Sequence, residues 1–228
     1  MSRHKRLTAL LALSTVCLLL VSVATAGTTA DTDGPEIPPV TVESLTILGM
    51  EPTEVVRWTP LRQSGPGKIP MIVAMTKALR QEGETPEDLL EEVLDTKYSV
   101  GIYAFDPTLQ RWLPAWERVT GELAHEFVDG YEVMDVTGDG QDEVLVGIRY
   151  YGRGRALDFT IKSVGPDGVT DLLNKNSVYQ GHVTGSSGHI YVDRALEDSD
   201  GKQRDVFAWT PSKNSFVKVR EIRNWPER

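Results

Sequence analysis

The same hairpin pattern recurs along this chain at intervals of about fifty residues. The stretches "IYAFDPTLQRWLPAW" (102–116) and "VFAWTPSKNSFVKVR" (206–220) each join two aromatic-containing strands through a turn that opens on a polar residue and proline. The stretch "FTIKSVGPDGVTDLL" (159–173) is a looser copy. Short runs rich in Val, Ile, Tyr and Phe, bounded by Gly, Pro, Asp or Asn, are typical of β-strands. The repeat therefore predicts a β-rich fold built from similar antiparallel units.

The repeat spacing is within the range of propeller blades, and each unit has room for about four strands. We place the openings of the units near Leu45, Tyr131 and Tyr179. The predicted fold class is all-β, with propeller-like antiparallel sheets in about three four-stranded blade units. One short inserted helix is predicted in "TPEDLLEEVLDT" (85–96), which has an N-cap threonine, proline at the first helical position and a 3-4 spaced apolar stripe. We expect this helix to pack on a sheet.

The first 26 residues have the organisation of a secretory signal peptide. A basic start precedes the apolar run "LTALLALSTVCLLLVSVATA", which ends in Ala24-Thr25-Ala26. A small-x-small ending predicts cleavage after Ala26. The alternative is an uncleaved anchor, because the run approaches the length of a membrane span. With cleavage, we expect a protein that is secreted or held in the cell envelope, without stable membrane insertion.

The small, polar and proline-rich residues 27–44 predict a flexible linker, and the β domain then spans 45–228. The single cysteine, Cys17, stands inside the signal peptide, so the mature chain has no thiol and no disulfide. The formal net charge is -9. Nucleic-acid affinity comes from clustered Lys and Arg, so we expect no nucleic-acid partner.

The stretch "DVTGDGQDEVLVG" (135–147) places oxygen-bearing residues at alternate positions of a glycine-containing loop. Hard oxygen ligands on a flexible loop suit Ca²⁺. The predicted ligands are Asp135, Thr137, Asp139, Gln141 and Glu143. The alternative is an Asp-Gly turn without a metal, since such turns are common hairpin connectors. In that case arginines would have to balance the crowded carboxylates, with Arg149, Arg153 and Arg155 as the basic candidates.

This loop resembles the calcium-binding loop of FG-GAP repeats, the integrin α-type propeller repeats, and of the related VCBS repeats. Their pattern D-x-D/N-x-D-G-x-x-D, followed by an apolar strand ending in glycine, is matched at Asp135, Asp139, Gly140 and Gly147. Thr137 and Glu143 depart from it. The resemblance implies a structural calcium ion and an extracellular binding or adhesion role, with an envelope protein or a glycan as partner.

Residues for catalysis do not form a recognisable motif. His125, His182 and His189 have no metal-site spacing, although the last two could face each other across a hairpin. Among the tryptophans, Trp116 and Trp225 are the candidates for surface contacts such as sugar stacking, whereas Trp112 and Trp209 are expected in the core; Trp58 is unassigned. We therefore expect no enzyme.

The competing hypothesis is a secreted or envelope hydrolase acting on glycans or phosphoesters. Several titratable side chains that converge in one deep cleft would favour it.

Overall fold

The structure is a computed structural model that describes residues 36–63, 68–79, 96–120, 126–150, 155–165, 167–196 and 201–224. The predicted signal peptide, the first part of the linker and nearly all of the predicted inserted helix lie outside these described residues. Within the described part, no helix is long and apolar enough to span a membrane.

The described residues form three four-stranded antiparallel sheets, each a meander of strands consecutive in sequence. The first sheet comprises β1 (Glu54–Pro60), β2 (Met71–Leu79), β3 (Thr96–Asp106) and β4 (Arg111–Val119). The second sheet comprises β5 (Glu126–Met134), β6 (Glu143–Tyr150), β7 (Leu157–Gly165) and β8 (Gly168–Val178). The third sheet comprises β9 (His182–Ser186), β10 (His189–Ala195), β11 (Lys202–Thr210) and β12 (Ser215–Arg223). The predicted all-β layout of three four-stranded units is thereby confirmed.

The three repeated hairpins occupy equivalent places. Each one contributes the third and fourth strands of its own sheet, namely β3–β4, β7–β8 and β11–β12. The proline of the repeat stands in the turn in two of them, as Pro107 and as Pro211, which opens a short 3-10 turn (Pro211–Lys213). Proline presets the backbone angle that such turns need, which explains its recurrence.

Two apolar layers join the sheets. Between the first and second sheets, Val73, Val100 and Ile102 pack with Val144 and Val146. Between the second and third sheets the buried residues are Val136, Leu145, Leu157, Phe159, Ile161, Leu172, Leu173, Val178, Val183, Ile190, Val192, Phe207 and Phe216. The second sheet therefore has a neighbour on both faces. At about 25 cal/mol per Å² of apolar area removed from water, these layers are the main stabilising term of the fold.

The outer face of the first sheet is covered by residues 36–48. Ile37 and Val40 pack against a buried cluster that contains Tyr103 and Trp112. The Trp112 indole Nε1 donates to the carbonyl of Pro39 at 3.3 Å. The sequence assigned 36–44 to the flexible linker, but these residues contribute apolar side chains to the core. The packed part of the chain therefore begins by Ile37.

Candidate functional site

The acidic loop connects β5 to β6 and is organised by its first carboxylate. Asp135 accepts hydrogen bonds from the backbone N–H groups of Gly138 and Gly140, at 2.6 and 2.9 Å. Both glycines have φ of +83°, in the left-handed region that glycine adopts without strain. The glycines thus turn the backbone so that its N–H groups surround Asp135.

The other two predicted carboxylate ligands are bonded within the same loop. Asp139 accepts from the backbone N–H and the side-chain amide of Gln141, at 2.9 and 3.1 Å. Glu143 is only 1% exposed and accepts from the backbone N–H groups of Val136 and Thr137, at 2.8 and 3.2 Å. The Thr137 hydroxyl donates to it as well, at 3.1 Å. Burial raises the pKa of Glu143, and the hydrogen bonds to Val136 and Thr137 oppose that rise.

Protein donors therefore satisfy the carboxylates of the loop. Within the described residues, no three His, Cys, Asp or Glu side chains are placed to hold a metal ion together. Each oxygen of Asp135 and Asp139 still has a second lone pair, and both side chains lie on the outer part of the loop. The donor set fits a hard cation in chemical type. Calcium at Asp135, Thr137, Asp139, Gln141 and Glu143 stays a prediction.

The remaining acidic residue of the loop, Asp142, connects the loop to the first sheet. It accepts from the backbone N–H and the guanidinium of Arg62, which follows β1, and this ion pair raises the pKa of Arg62. Arg62 is therefore the basic partner of the loop. Arg149, one of the three arginines considered from the sequence, pairs instead with Asp129, at 2.8 Å.

The loop also binds the third sheet. The carbonyl of Val136 accepts the backbone N–H of Gly188, in the turn between β9 and β10, at 2.7 Å. A Cβ on Gly185 would clash with the Met134 sulfur and lie 2.8 Å from the Val136 side chain, so that hairpin approaches the loop very closely. The acidic loop is thus bonded to the sheets on both sides of its own.

A second feature is a cleft of about 380 Å³ between β4 of the first sheet and β6–β8 of the second. On β6, alternate side chains such as Val146 are apolar and pack toward the first sheet. On β7, the corresponding positions are Asp158, Thr160 and Lys162, which line the cleft. The face of the second sheet thus changes from apolar on β6 to polar on β7, at the cleft.

Lys162 connects the two walls of this cleft. It is 6% exposed, and its Nζ lies 4.3 Å from the ring centroid of Trp116 on β4. The same ammonium group forms an ion pair with Asp171 on β8. The Thr160 hydroxyl lies 3.3 Å from the same carboxylate oxygen of Asp171. The lysine therefore has an anionic and an aromatic partner within the protein.

Tyr150 forms the other end of the cleft. Its hydroxyl lies 3.0 Å from Asp158 Oδ2 and 3.3 Å from Glu126 Oε1, and Glu126 also pairs with Arg118. Burial, followed by the two carboxylates, raises the pKa of Tyr150 to about 12. Among the residues that the structure describes, buried Glu126 Oε2 has no hydrogen-bond partner. Arg118, Tyr150 and Asp158 line the cleft, while Glu126 lies behind them.

The cleft was not predicted, although β7 carries a signal for it. The run "LDFTIK" (157–162) alternates strictly between apolar and polar residues. Strands covered on both faces read as near-continuous apolar runs, as β6 does with "EVLVGIRY". An alternating strand in the middle of a stack indicates that one of its faces meets solvent.

The two histidines of β9 and β10 do not face each other. His182 is opposite Asp193, and His189 is opposite Ser186, because the turn falls two residues later than a His–His pairing requires. Four residues of strand separate the two positions, about 13 Å. The two histidines, which the sequence allowed to face each other across a hairpin, are therefore not a pair for a metal or substrate. As expected, Trp112 is fully buried, and Trp209 packs against the core beside Phe216.

Comparison with protein-family models, with curated proteins and with solved structures finds no match to this chain. The resemblance of the acidic loop to FG-GAP and VCBS repeats therefore stays an expectation.

Proposed function

We propose that this chain is an exported, non-enzymatic binding protein of the cell envelope or the extracellular space, and that its ligand occupies the cleft between the first and second sheets. The observation that carries the proposal is the polar face of β7 and β8 in an otherwise apolar interlayer. Binding sites are concave and place a few polar groups among apolar ones. The volume of the cleft falls in the range of such sites.

The chemistry of Lys162 supports this reading. Burying a charged side chain costs free energy unless it is paired and hydrogen-bonded, and Lys162 is buried while its partner Asp171 is about half exposed. At the position of Lys162, an apolar side chain would extend the layer that Val144 and Val146 begin. A lysine held against Trp116 and Asp171 instead places a charged group on this wall of the cleft.

The acidic loop has a structural role in the proposal. Calcium bound through the five predicted ligands would stiffen the loop that carries Asp142. Asp142 holds Arg62, so the loop fixes how the first sheet meets the second. The same two sheets form the walls of the cleft, and a stiff loop would therefore preorganise the binding site.

The test uses the mature chain, residues 27–228, in pull-down from cell-envelope and culture-supernatant fractions. We expect retained material whose amount falls when Asp158 is changed to Asn or Asn174 to Ala. The matched controls are Trp58→Ala, at an exposed position of the first sheet, and Thr170→Ala, on the opposite face of β8. Equal retention by all four variants would place binding elsewhere and contradict the proposal.

One observation favours hydrolysis as a second candidate function. Asp158 and Glu126 both contact the Tyr150 hydroxyl, so two carboxylates lie close together beside a cleft where titratable groups converge. Retaining glycosidases use carboxyl groups about 5–5.5 Å apart. The Glu126 side chain, however, is only 1% exposed, so a substrate in the cleft does not reach it. Turnover of chromogenic glycosides or phosphoesters that Asp158→Asn abolishes would establish this second function in place of the first.

A further inference from the structure

We propose that the ligand of the cleft is an uncharged, hydroxyl-rich glycan segment; this inference rests on the binding function proposed above. The cleft offers a mixed set of hydrogen-bonding groups, carries no excess positive charge and has an aromatic residue at its wall.

The cleft presents hydrogen-bond donors and acceptors in close alternation. Asn174 and Asn176 are exposed side chains of β8 that line it, and each amide offers two N–H donors and a carbonyl acceptor. Asp158 and Asp171 add carboxylate acceptors beside them. A sugar hydroxyl donates one hydrogen bond and accepts others, so neighbouring hydroxyls on a ring match such a mixed set.

The cations of the cleft are already balanced. Arg118 pairs with Glu126, and Lys162 pairs with Asp171, while Asp158 adds a further carboxylate. The first 26 residues contain three basic and no acidic residues, so a net charge of -9 for the whole chain becomes -12 after cleavage. Phosphate, sulfate and uronic-acid polymers would meet a site with no excess positive charge. An uncharged ligand avoids this repulsion.

Trp116 supplies the apolar contact that sugar binding needs. Its indole is half-buried and lines the cleft, and because Lys162 Nζ lies over the ring at 4.3 Å, a sugar would contact the part of the indole that stays exposed. Sugar rings have apolar C–H faces, which pack on aromatic rings while their hydroxyls point outward. Sequence analysis singled out the same tryptophan as a candidate surface contact.

An extended peptide is the competing ligand, because β4 and β8 are sheet edges and an edge can accept an added strand. Peptide recognition by strand addition takes its specificity from pockets for alternate side chains. The lining near β8 instead consists of exposed amides and a carboxylate, Asn174, Asn176 and Asp171. The observations therefore favour the glycan.

The experiment is isothermal titration calorimetry of the mature chain. The probes are neutral oligosaccharides of glucose, mannose, galactose and N-acetylglucosamine, with polygalacturonate fragments and a poly-threonine peptide for comparison. We expect at least one neutral oligosaccharide to bind and the charged fragments not to bind. Asn174→Ala and Asn176→Ala should each weaken that binding by roughly 2- to 10-fold, the loss expected for one hydrogen bond. Trp116→Phe should weaken it similarly, whereas Trp58→Phe and Thr170→Ala should leave it unchanged.

Two results would overturn the inference. Cleft-dependent retention of envelope material without binding of any neutral oligosaccharide would show that the ligand is not a glycan, while the binding function stands. Oligosaccharide binding that the three cleft variants do not alter would place the glycan site elsewhere. If the cleft variants also leave the retention of envelope material unchanged, the proposed function itself fails. Circular dichroism of each variant separates loss of binding from loss of fold.

Discussion

Arg62 and Asp142 exchange four hydrogen bonds where the first sheet meets the acidic loop of the second. Asp142 accepts the Arg62 backbone N–H at 2.7 Å and the guanidinium at 2.7 and 3.0 Å, and its own N–H donates to the Arg62 carbonyl at 3.1 Å. The Arg62 side chain is 71% exposed, whereas that of Asp142 is 6% exposed. The contact therefore joins a solvated cation to a buried anion.

Removing the Arg62 guanidinium should lower the free energy of unfolding by more than removing one partner of an exposed surface ion pair. Arg62→Ala leaves the buried Asp142 carboxylate with only its backbone donor, and we expect the free energy of unfolding to fall by about 1–3 kcal/mol. The control is Lys77→Ala, which breaks the exposed pair with Glu54 and should cost about 0–1 kcal/mol. Urea unfolding of both variants measures the difference. Equal losses would mean that the Arg62 contact is an ordinary surface pair.

Calcium, if it binds the acidic loop, should act on stability. A ligand that binds only the folded state adds about 2.7 kcal/mol at a hundredfold excess over Kd, so chelation should lower the melting temperature by roughly 5–10 °C. Asp139→Ala should lower it too, and a chelator should then have little further effect, because both changes remove the same ion. Asp167→Ala, an exposed acid in the β7–β8 turn, is the control. A wild-type melt that is indifferent to calcium contradicts the prediction.

Gly101 allows Tyr103 to fold back over its own strand. A Cβ at position 101 would lie 2.8 Å from three atoms of the Tyr103 side chain, which is fully buried and donates to Glu117 at 3.1 Å. Because this ring has no room to move, Gly101→Ala should destabilise the protein by about 1–3 kcal/mol. Gly165→Ala is the matched control, since its nearest contact would be 4.0 Å away. Thermal melts of the two variants should therefore differ clearly in direction or size.

Tyr150 should make the stability of the protein fall as the pH rises through the alkaline range. Its pKa rises from 10.0 to about 12 in the folded state, so the unfolded chain releases this proton first. The contribution is complete below the unfolded value and is lost as the pH rises through the folded one. Burial also raises the pKa of Tyr103 and Tyr131, so Tyr150→Phe should flatten the dependence without abolishing it. Urea unfolding between about pH 9 and about pH 11 tests this, with Tyr179→Phe as the control. A profile that Tyr150→Phe leaves unaltered contradicts the prediction.

Export predicts a defined mature terminus. The intact mass of the secreted product should correspond to a chain that begins at Gly27. Ala26→Arg should block cleavage, because the processing site takes small residues. A membrane-retained species that still carries Met1 in the unaltered protein would support the uncleaved anchor instead.

Local patterns predicted most of the fold. The recurring hairpins identified the third and fourth strands of each sheet, since a turn such as that at Pro107 or Pro211 depends on a few adjacent residues. The start of the packed domain was placed too late. Ile37 and Val40 stand in a proline-rich stretch typical of a linker, and only the surface they cover on the first sheet reveals their role.

The candidate sites depend on contacts that no local pattern contains. Arg62 and Asp142 are 80 positions apart in sequence, so the residues of the acidic loop do not indicate which arginine pairs with it. The cleft combines Trp116 of one sheet with Lys162 of the next, and only their packing brings the two together. The sequence signal for the cleft that we identify is the strict alternation of apolar and polar residues on β7.

Because residues 36–48 cover the outer face of the first sheet, the order of synthesis affects the order in which the cores of this protein can form. The residues that close the outer face of that sheet have already emerged when β4 appears, so this core needs nothing from downstream. The inner face, with Val73 and Ile102, must wait for the strands of the second sheet. The bond from Gly188 to the acidic loop comes later still. The order of emergence is thus the order in which the cores can close, and no early core depends on a late strand.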